Sequence, residues 1–261
     1  GDMAETSFDL GKKVFFLYPH KIVDEYIHLF LIKNEFEVYL VNDHRNFEQI
    51  LLKYPNSVIF INIDEVLSEA EWIQYVQNLL QKIPSLVISI FSIYQNPELE
   101  KKLVNLLGRQ AKLISLRAGM EKTRQLILDL LVAQEARGRR RYLRYHPQAG
   151  QATLNLKYLG QVITGTIYDI SSVGISMAFD ENFLDLAENT RLQDVQIVFK
   201  GIRIKVDMVV TIKRAQPGKK TTYVMLFDQN TLPTDKEKIY TCILRGLQSD
   251  IEKWLDEMPK K

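Results

Sequence analysis

Arg139-Arg140-Arg141-Tyr142-Leu143-Arg144, followed further on by Asp169-Ile170-Ser171-Ser172-Val173-Gly174, decides how the second half of this chain is read. Arg140 and Arg144 stand in an Arg-x-x-x-Arg spacing. The guanidinium is a planar fork of donors that pairs bidentately with phosphate or with the O6/N7 edge of guanine, and it stacks on base planes. Asp169 supplies an acceptor matched to the N1–H and N2–H donors of guanine, and Ser171 offers a hydroxyl to a phosphate or to its own loop. Gly174 permits a positive torsion or a close approach that a side chain would obstruct. Taken singly, each motif has a plainer reading. An arginine run is commonly a solvated helix end or a nonspecific polyanion contact, and Asp-x-Ser-x-x-Gly is commonly an Asx or Ser turn between strands. Their order, their separation and their β-rich surroundings argue for one site.

Those surroundings are short, β-branched and partly alternating: Ala152 to Tyr158, Val162 to Tyr168, Gly174 to Phe179, Val195 to Phe199, Ile202 to Ile212 and Tyr223 to Phe227. Gly160, Gly201 and Pro217-Gly218 punctuate them. The pattern predicts an antiparallel barrel. From Thr234 the spacing turns helical through Ile239, Ile243, Leu247, Ile251, Trp254 and Leu255. This helix buries one face against the barrel or against a second subunit, with Trp254 as an anchor for either.

With these residues in place, residues 137 to 230 resemble the PilZ domain, the bacterial receptor module for cyclic di-GMP. The resemblance implies a six-stranded, Greek-key-like antiparallel barrel with ligand clamped between its face and an N-terminal arginine arm. Arg140 and Arg144 match the paired arginines, and Asp169, Ser171 and Gly174 match the second motif. Arg139 stands where a basic residue in the family can accompany a stacked ligand dimer. One departure is visible. The family often carries a Gly-x-x-Phe near the last barrel strand, whereas Tyr223-Val-Met-Leu-Phe227 keeps the Phe without the Gly. A packing adjustment is expected there.

The first half alternates strand-like and helix-like segments: Val14 to Tyr18, helix over 20–35, Val38 to Val41, helix from Phe47 to Tyr54, then Val58 to Ile63. Helix over 66–82, strand from Leu86 to Ile93, helix over 97–109, strand from Leu113 to Leu116 and helix over 120–136 complete it. Such alternation predicts a parallel sheet between helices. In pattern and length it is similar to a response-regulator receiver domain, which implies an acidic pair after strand one, a phosphoacceptor Asp ending strand three, Thr or Ser after strand four and Lys after strand five. At those places stand Tyr18-Pro19-His20, Asn62 with Asp64 two residues on, Ser92, and Arg117 as the nearest cation. Mg²⁺ prefers carboxylate oxygens, so the expectation is a receiver-like (βα)5 domain without phosphotransfer. The alternative is a phosphorylation-controlled response regulator with a barrel output domain and Asp64 as acceptor.

The chain has 261 residues and a formal net charge of +2, so the arginine run is a local feature rather than a nucleic-acid signature. The lone Cys242 cannot form an intramolecular disulfide, no apolar run reaches the ~18 residues of a membrane span, and no signal peptide is apparent. These fit a cytoplasmic protein. His20, His28, His44 and His146 lack metal-ligand spacing, and no nucleophile elbow, P-loop or Rossmann glycine set occurs. The expected organisation is therefore a receiver-like domain over 10–136, an arginine-rich hinge over 137–146, and a PilZ-like barrel with its C-terminal helix over 147–261. The expected role is a non-enzymatic cyclic di-GMP receptor, needing no cofactor, acting on an unidentified protein partner as a monomer or homodimer. The family connection suggests motility or biofilm regulation.

Overall fold

A computed structural model describes residues 10–108, 113–181 and 184–260. Two compact units divide the chain: Gly1–Arg141 with Gln248–Lys261, and Tyr142–Leu247. The first contains strands β1 (Lys13–Leu17), β2 (Glu37–Val41), β3 (Val58–Asn62), β4 (Val87–Ser92) and β5 (Leu113–Ser115). All pair in parallel in the order β2-β1-β3-β4-β5, an order found in doubly wound, flavodoxin-like sheets. The strands read as continuous apolar runs because both faces are covered, and every residue of β3 is buried. Phe16, Phe60 and Phe91 stack from strand to strand, with centroids 4.7 Å apart for the first pair and 5.2 Å for the second.

The helices are α1 (Lys21–Tyr26), α2 (His28–Lys33), α3 (Phe47–Lys53), α4 (Glu69–Lys82), α5 (Pro97–Leu107) and α6 (Met120–Ala133). The single helix expected over 20–35 is interrupted at Ile27, whose φ has moved to −107°. Bonds from Ile27 N to Val23 O and from Leu31 N to Ile27 O still cross the interruption, so it changes the local winding without turning the chain. α4 opens on a capping box in which the Ser68 hydroxyl accepts from Glu71 N and the Glu71 carboxylate accepts from Ser68 N.

The second unit holds β6 (Arg144–Tyr145), β7 (Ala152–Tyr158), β8 (Gln161–Ser171), β9 (Gly174–Phe179), β10 (Arg191–Phe199), β11 (Ile202–Arg214) and β12 (Thr222–Phe227). Antiparallel pairing runs β8-β7-β10-β11-β12-β9 and returns from β9 to β8, closing a six-stranded barrel, with β6 added on β8. Closure leaves the barrel strands no free edge. β8 and β10 run longer than their apolar spacing indicates: β7 and β9 extend β8 at its two ends, and β11 extends β10 at its start. A bulge at Tyr168 adds one residue to β8 opposite β9 and sets the face on which Asp169 emerges.

The last helix, α7 (Pro233–Asp256), contributes to both units. In the second, a Cβ on Gly246 would lie 2.3 Å from the Tyr145 ring, so glycine here admits the aromatic side chain against the helix. In the first, Gln248 Oε1 accepts from Leu40 N at 2.9 Å and its Nε2 donates to Leu40 O at 2.8 Å. β2 is an edge strand, and this amide satisfies backbone groups that would otherwise stay open. Asn46 Nδ2 donates to Leu255 O at 2.9 Å, and Trp254 meets the Tyr54 ring edge-on. The sequence left the target of this helix open between the barrel and a second subunit. Its last turns lie instead on the first unit's sheet edge.

Candidate functional site

Asp-x-Ser-x-x-Gly spans the turn from β8 to β9. Asp169 and Ser171 lie two residues apart and so share a face of β8, and Arg144 pairs directly opposite Ser171. Directly opposed residues project to the same side of a sheet. Ile170 and its partner Tyr145 are buried on the inner side. Arg144, Asp169 and Ser171 therefore belong to the outer face of the barrel. Arg144 is exposed, while Asp169 is half-buried and its Oδ2 accepts from Ser176 Oγ at 2.9 Å.

Ser171 is buried and its hydroxyl is engaged within the turn. It donates to Gly174 O at 3.3 Å and accepts from Val173 N at 3.2 Å. Gly174 does not take the positive torsion that the sequence offered as one option. A Cβ there would stand 2.2 Å from Met225 O and 3.1 Å from Leu226 Cα, so its bare backbone is what lets β9 approach β12. Phe227 N completes the turn by donating to Val173 O at 2.9 Å. Ser171 and Gly174 build the loop that presents Asp169.

Tyr145 fixes the neighbouring arginine. It is 2 % exposed, its hydroxyl donates to Gln151 Oε1 at 3.0 Å, and its ring meets Phe199 edge-on at 5.7 Å. Burying a large aromatic with its polar tip satisfied anchors the two-residue strand β6 and hence Arg144. Sequence reasoning did not single out Tyr145, Gly246 or Ser176. A tyrosine following Arg144 in alternating register was the available signal for the first.

Arg139 and Arg140 belong to the first unit. Arg139 is exposed. Arg140 is largely withdrawn from solvent, and its Nη1 lies 3.4 Å from Glu37 Oε1. Its Nε and Nη2 are buried without a hydrogen-bond partner. Glu37 also accepts from Tyr39 Oη at 2.6 Å and pairs with Lys13, its register partner on β1. Burial pushes the Glu37 carboxyl up, but Lys13, Tyr39 and Arg140 together outweigh it and hold the pKa below the usual range. Glu37 and Lys13, charged residues starting otherwise apolar strands, were not foreseen as part of this neighbourhood.

At the carboxyl ends of the parallel strands, the receiver-like positions form a closed hydrogen-bonded cluster. Asp64 Oδ1 accepts from Ser92 Oγ at 2.6 Å, and Oδ2 accepts from Ile93 N at 2.8 Å and lies 3.0 Å from His20 Nε2. Asn62 is 1 % exposed and its Oδ1 accepts from Asp64 N at 2.9 Å. Burial raises the Asp64 pKa, but the bonds from Ser92, Ile93 and His20 prevail and lower it. Among the described residues, no group of three or more His, Cys, Asp or Glu could hold a metal ion, and no helix is long and apolar enough to cross a membrane.

No protein-family model and no curated protein matches the chain. Solved structures do. The PilZ domain with c-di-GMP of YcgR from Escherichia coli matches at 18 % identity and a TM-score of 0.39, over 46 % of this chain and 99 % of that one. The K. pneumonia MrkH–c-di-GMP complex matches at 18 % and 0.37, over 44 % of this chain and 55 % of that one. The Bacillus subtilis inhibitor of motility, MotI/DgrA, matches at 18 % and 0.34, over 46 % and 52 % respectively. The chain thus spans only about half the length of the latter two.

Proposed function

We propose that this chain is a receptor for cyclic di-GMP, with a site built from Arg139, Arg140, Arg144, Asp169, Ser171 and Gly174. The observation that carries the reading is the common outer face of Arg144 and Asp169 on paired strands β6 and β8. A forked cation beside a fixed carboxylate suits a ligand with an anionic phosphate and a guanine edge that donates two hydrogen bonds. Asp169 discriminates by chemistry: adenine offers no N1–H and N2–H pair. Ser171 and Gly174 support the reading through the turn that holds Asp169 in place.

In this reading the chain does no chemistry on its ligand. Capture orders the segment 137–146 and sets the orientation of the two units, which an unidentified protein partner then senses. The free-energy requirement is that the ligand bind the ordered arrangement better than the open one. Signalling in motility or biofilm control is the setting that the motif resemblance suggests. Calorimetry of the whole chain tests the reading, with cyclic di-GMP, cyclic di-AMP, GTP and GMP titrated in turn. Saturable binding of cyclic di-GMP, much tighter than the other three, is expected. A stoichiometry of two would give Arg139 its role beside a stacked dimer. Equal affinity for cyclic di-AMP would remove the guanine assignment.

A further inference from the structure

The leading arginine of the motif is already held by an acid. We infer that Glu37, on the edge strand β2, is an internal competitor for Arg140, retaining its guanidinium until a phosphate-bearing ligand takes it. This rests on the receptor reading above.

A carboxylate and a phosphate present the same kind of acceptor to a guanidinium, so one fork cannot serve both fully. The Arg140–Glu37 contact is a weak version of such a pair. Only Nη1 approaches Glu37, at 3.4 Å, while Nε and Nη2 are buried with no partner. A purely structural arginine would be expected to use its fork bidentately and leave no buried donor unsatisfied, since each such donor costs free energy. Arg140 is thus restrained rather than satisfied, and a phosphate able to accept from Nε and Nη2 would improve its state.

Glu37, by contrast, does not depend on Arg140. Lys13 and Tyr39 both serve its Oε2. Losing one partner from a buried pair is severe when it strands a lone charge. Here, release of Arg140 leaves the carboxylate with a cation and a hydroxyl. The exchange therefore proceeds without disrupting the β1–β2 pairing on which Lys13 and Glu37 sit. It also gives ligand capture a route into the first unit, because the bound state withdraws a positive charge from the end of its edge strand.

Two variants of the full chain, titrated with cyclic di-GMP by calorimetry, test this. Glu37→Gln removes the competing charge at nearly constant shape and should tighten binding roughly three- to tenfold, as expected when a larger share of the population is binding-competent. Lys13→Met removes the rival cation, leaves Arg140 as the remaining positive partner of Glu37, and should weaken binding by roughly threefold on the same logic. Both variants disturb one buried pair, so general loosening of the fold would move both affinities the same way. Competition moves them apart, and thermal melts confirm that each variant is folded. Affinities that are unchanged, or that shift in one direction, overturn the competition while leaving the receptor reading standing. No binding by the unsubstituted chain overturns the receptor reading, and this inference with it.

Discussion

Arg144 is exposed and belongs to no core, so removing its guanidinium tests ligand capture separately from folding. Arg144→Ala should nearly abolish cyclic di-GMP binding while leaving the melting temperature unchanged, because it deletes a charge-assisted, forked contact. Asp169→Ala should weaken binding by about 1–3 kcal/mol, as for a lost specific base contact, and should narrow the gap to cyclic di-AMP. Calorimetry beside thermal melts reads both, and unchanged affinity in the two variants would move the site elsewhere. At this scale the residue types that the proposed site needs were legible: a forked cation, a carboxylate, a small hydroxyl. Their division of labour was not. Gly174 offered a positive torsion or a close approach, and the folded chain shows a close approach to Met225 and Leu226 on β12. Sequence spacing shows that a side chain is missing; only the folded barrel shows what occupies the space. Arg140 shows the same limit, since its partner Glu37 lies far away in the chain.

The elements that position the site depend on contacts remote in sequence. β6 has two residues, and its place comes from Tyr145 lying against Gly246 of α7. Gly246→Ala puts a methyl 2.3 Å from the ring carbon in the present geometry. Overpacking of that kind costs about 1–3 kcal/mol, so the variant should melt earlier and also bind ligand more weakly as β6 shifts. Loss of stability with full affinity would show that Tyr145 does not position Arg144. In the first unit, His28 on α2 lies 3.0 Å from Val38 O through Nε2, and burial lowers its pKa. The unfolded chain accepts the proton near the ordinary value of about 6.5, before the folded chain does. The His28 contribution to stability is therefore fully present above about pH 6.5 and is lost as pH falls through the lower folded-state value. Melting curves between neutral and mildly acid pH should show the decline, and His28→Gln should flatten it. Most strands and helices were legible from period alone, because buried parallel strands and amphipathic helices carry distinct signatures. The interruption at Ile27 and the Gln248 amide on the edge of β2 carry no such periodic signal. The first is a local change of winding within an unbroken apolar stripe, and the second is a single polar side chain whose target lies two hundred positions away.

The molecule as a whole joins a flavodoxin-like parallel sheet to a closed barrel, and the response-regulator alternative stands or falls on the residues of the first. Phosphoryl transfer depends on a metal ion and a carboxylate nucleophile held in line with the donor. Where that chemistry needs an acidic pair, this chain carries Tyr18, Pro19 and His20. Tyr18 Oη is bonded to His44 N at 3.1 Å and lies 2.8 Å from His44 Nδ1, so it faces an imidazole rather than an open cation position. Asn62 ends β3, and an amide does not accept a phosphoryl group as a carboxylate does. Asp64 is brought next to Ser92, as a displaced acceptor would require, but Ser92, Ile93 N and His20 occupy both of its oxygens. The same bonds lower its pKa, and a carboxylate stabilised by three partners is a poorer nucleophile than a free one. Incubation of the full chain with acetyl phosphate and Mg²⁺ should therefore leave its intact mass unchanged, and should leave cyclic di-GMP affinity unchanged as well. A stoichiometric phosphoryl adduct that disappears in Asp64→Asn would reverse the assignment, making the first unit the input and the barrel its output. An unchanged mass would remove the response-regulator alternative and leave the proposed site at Arg144 and Asp169 as the one to test by ligand titration.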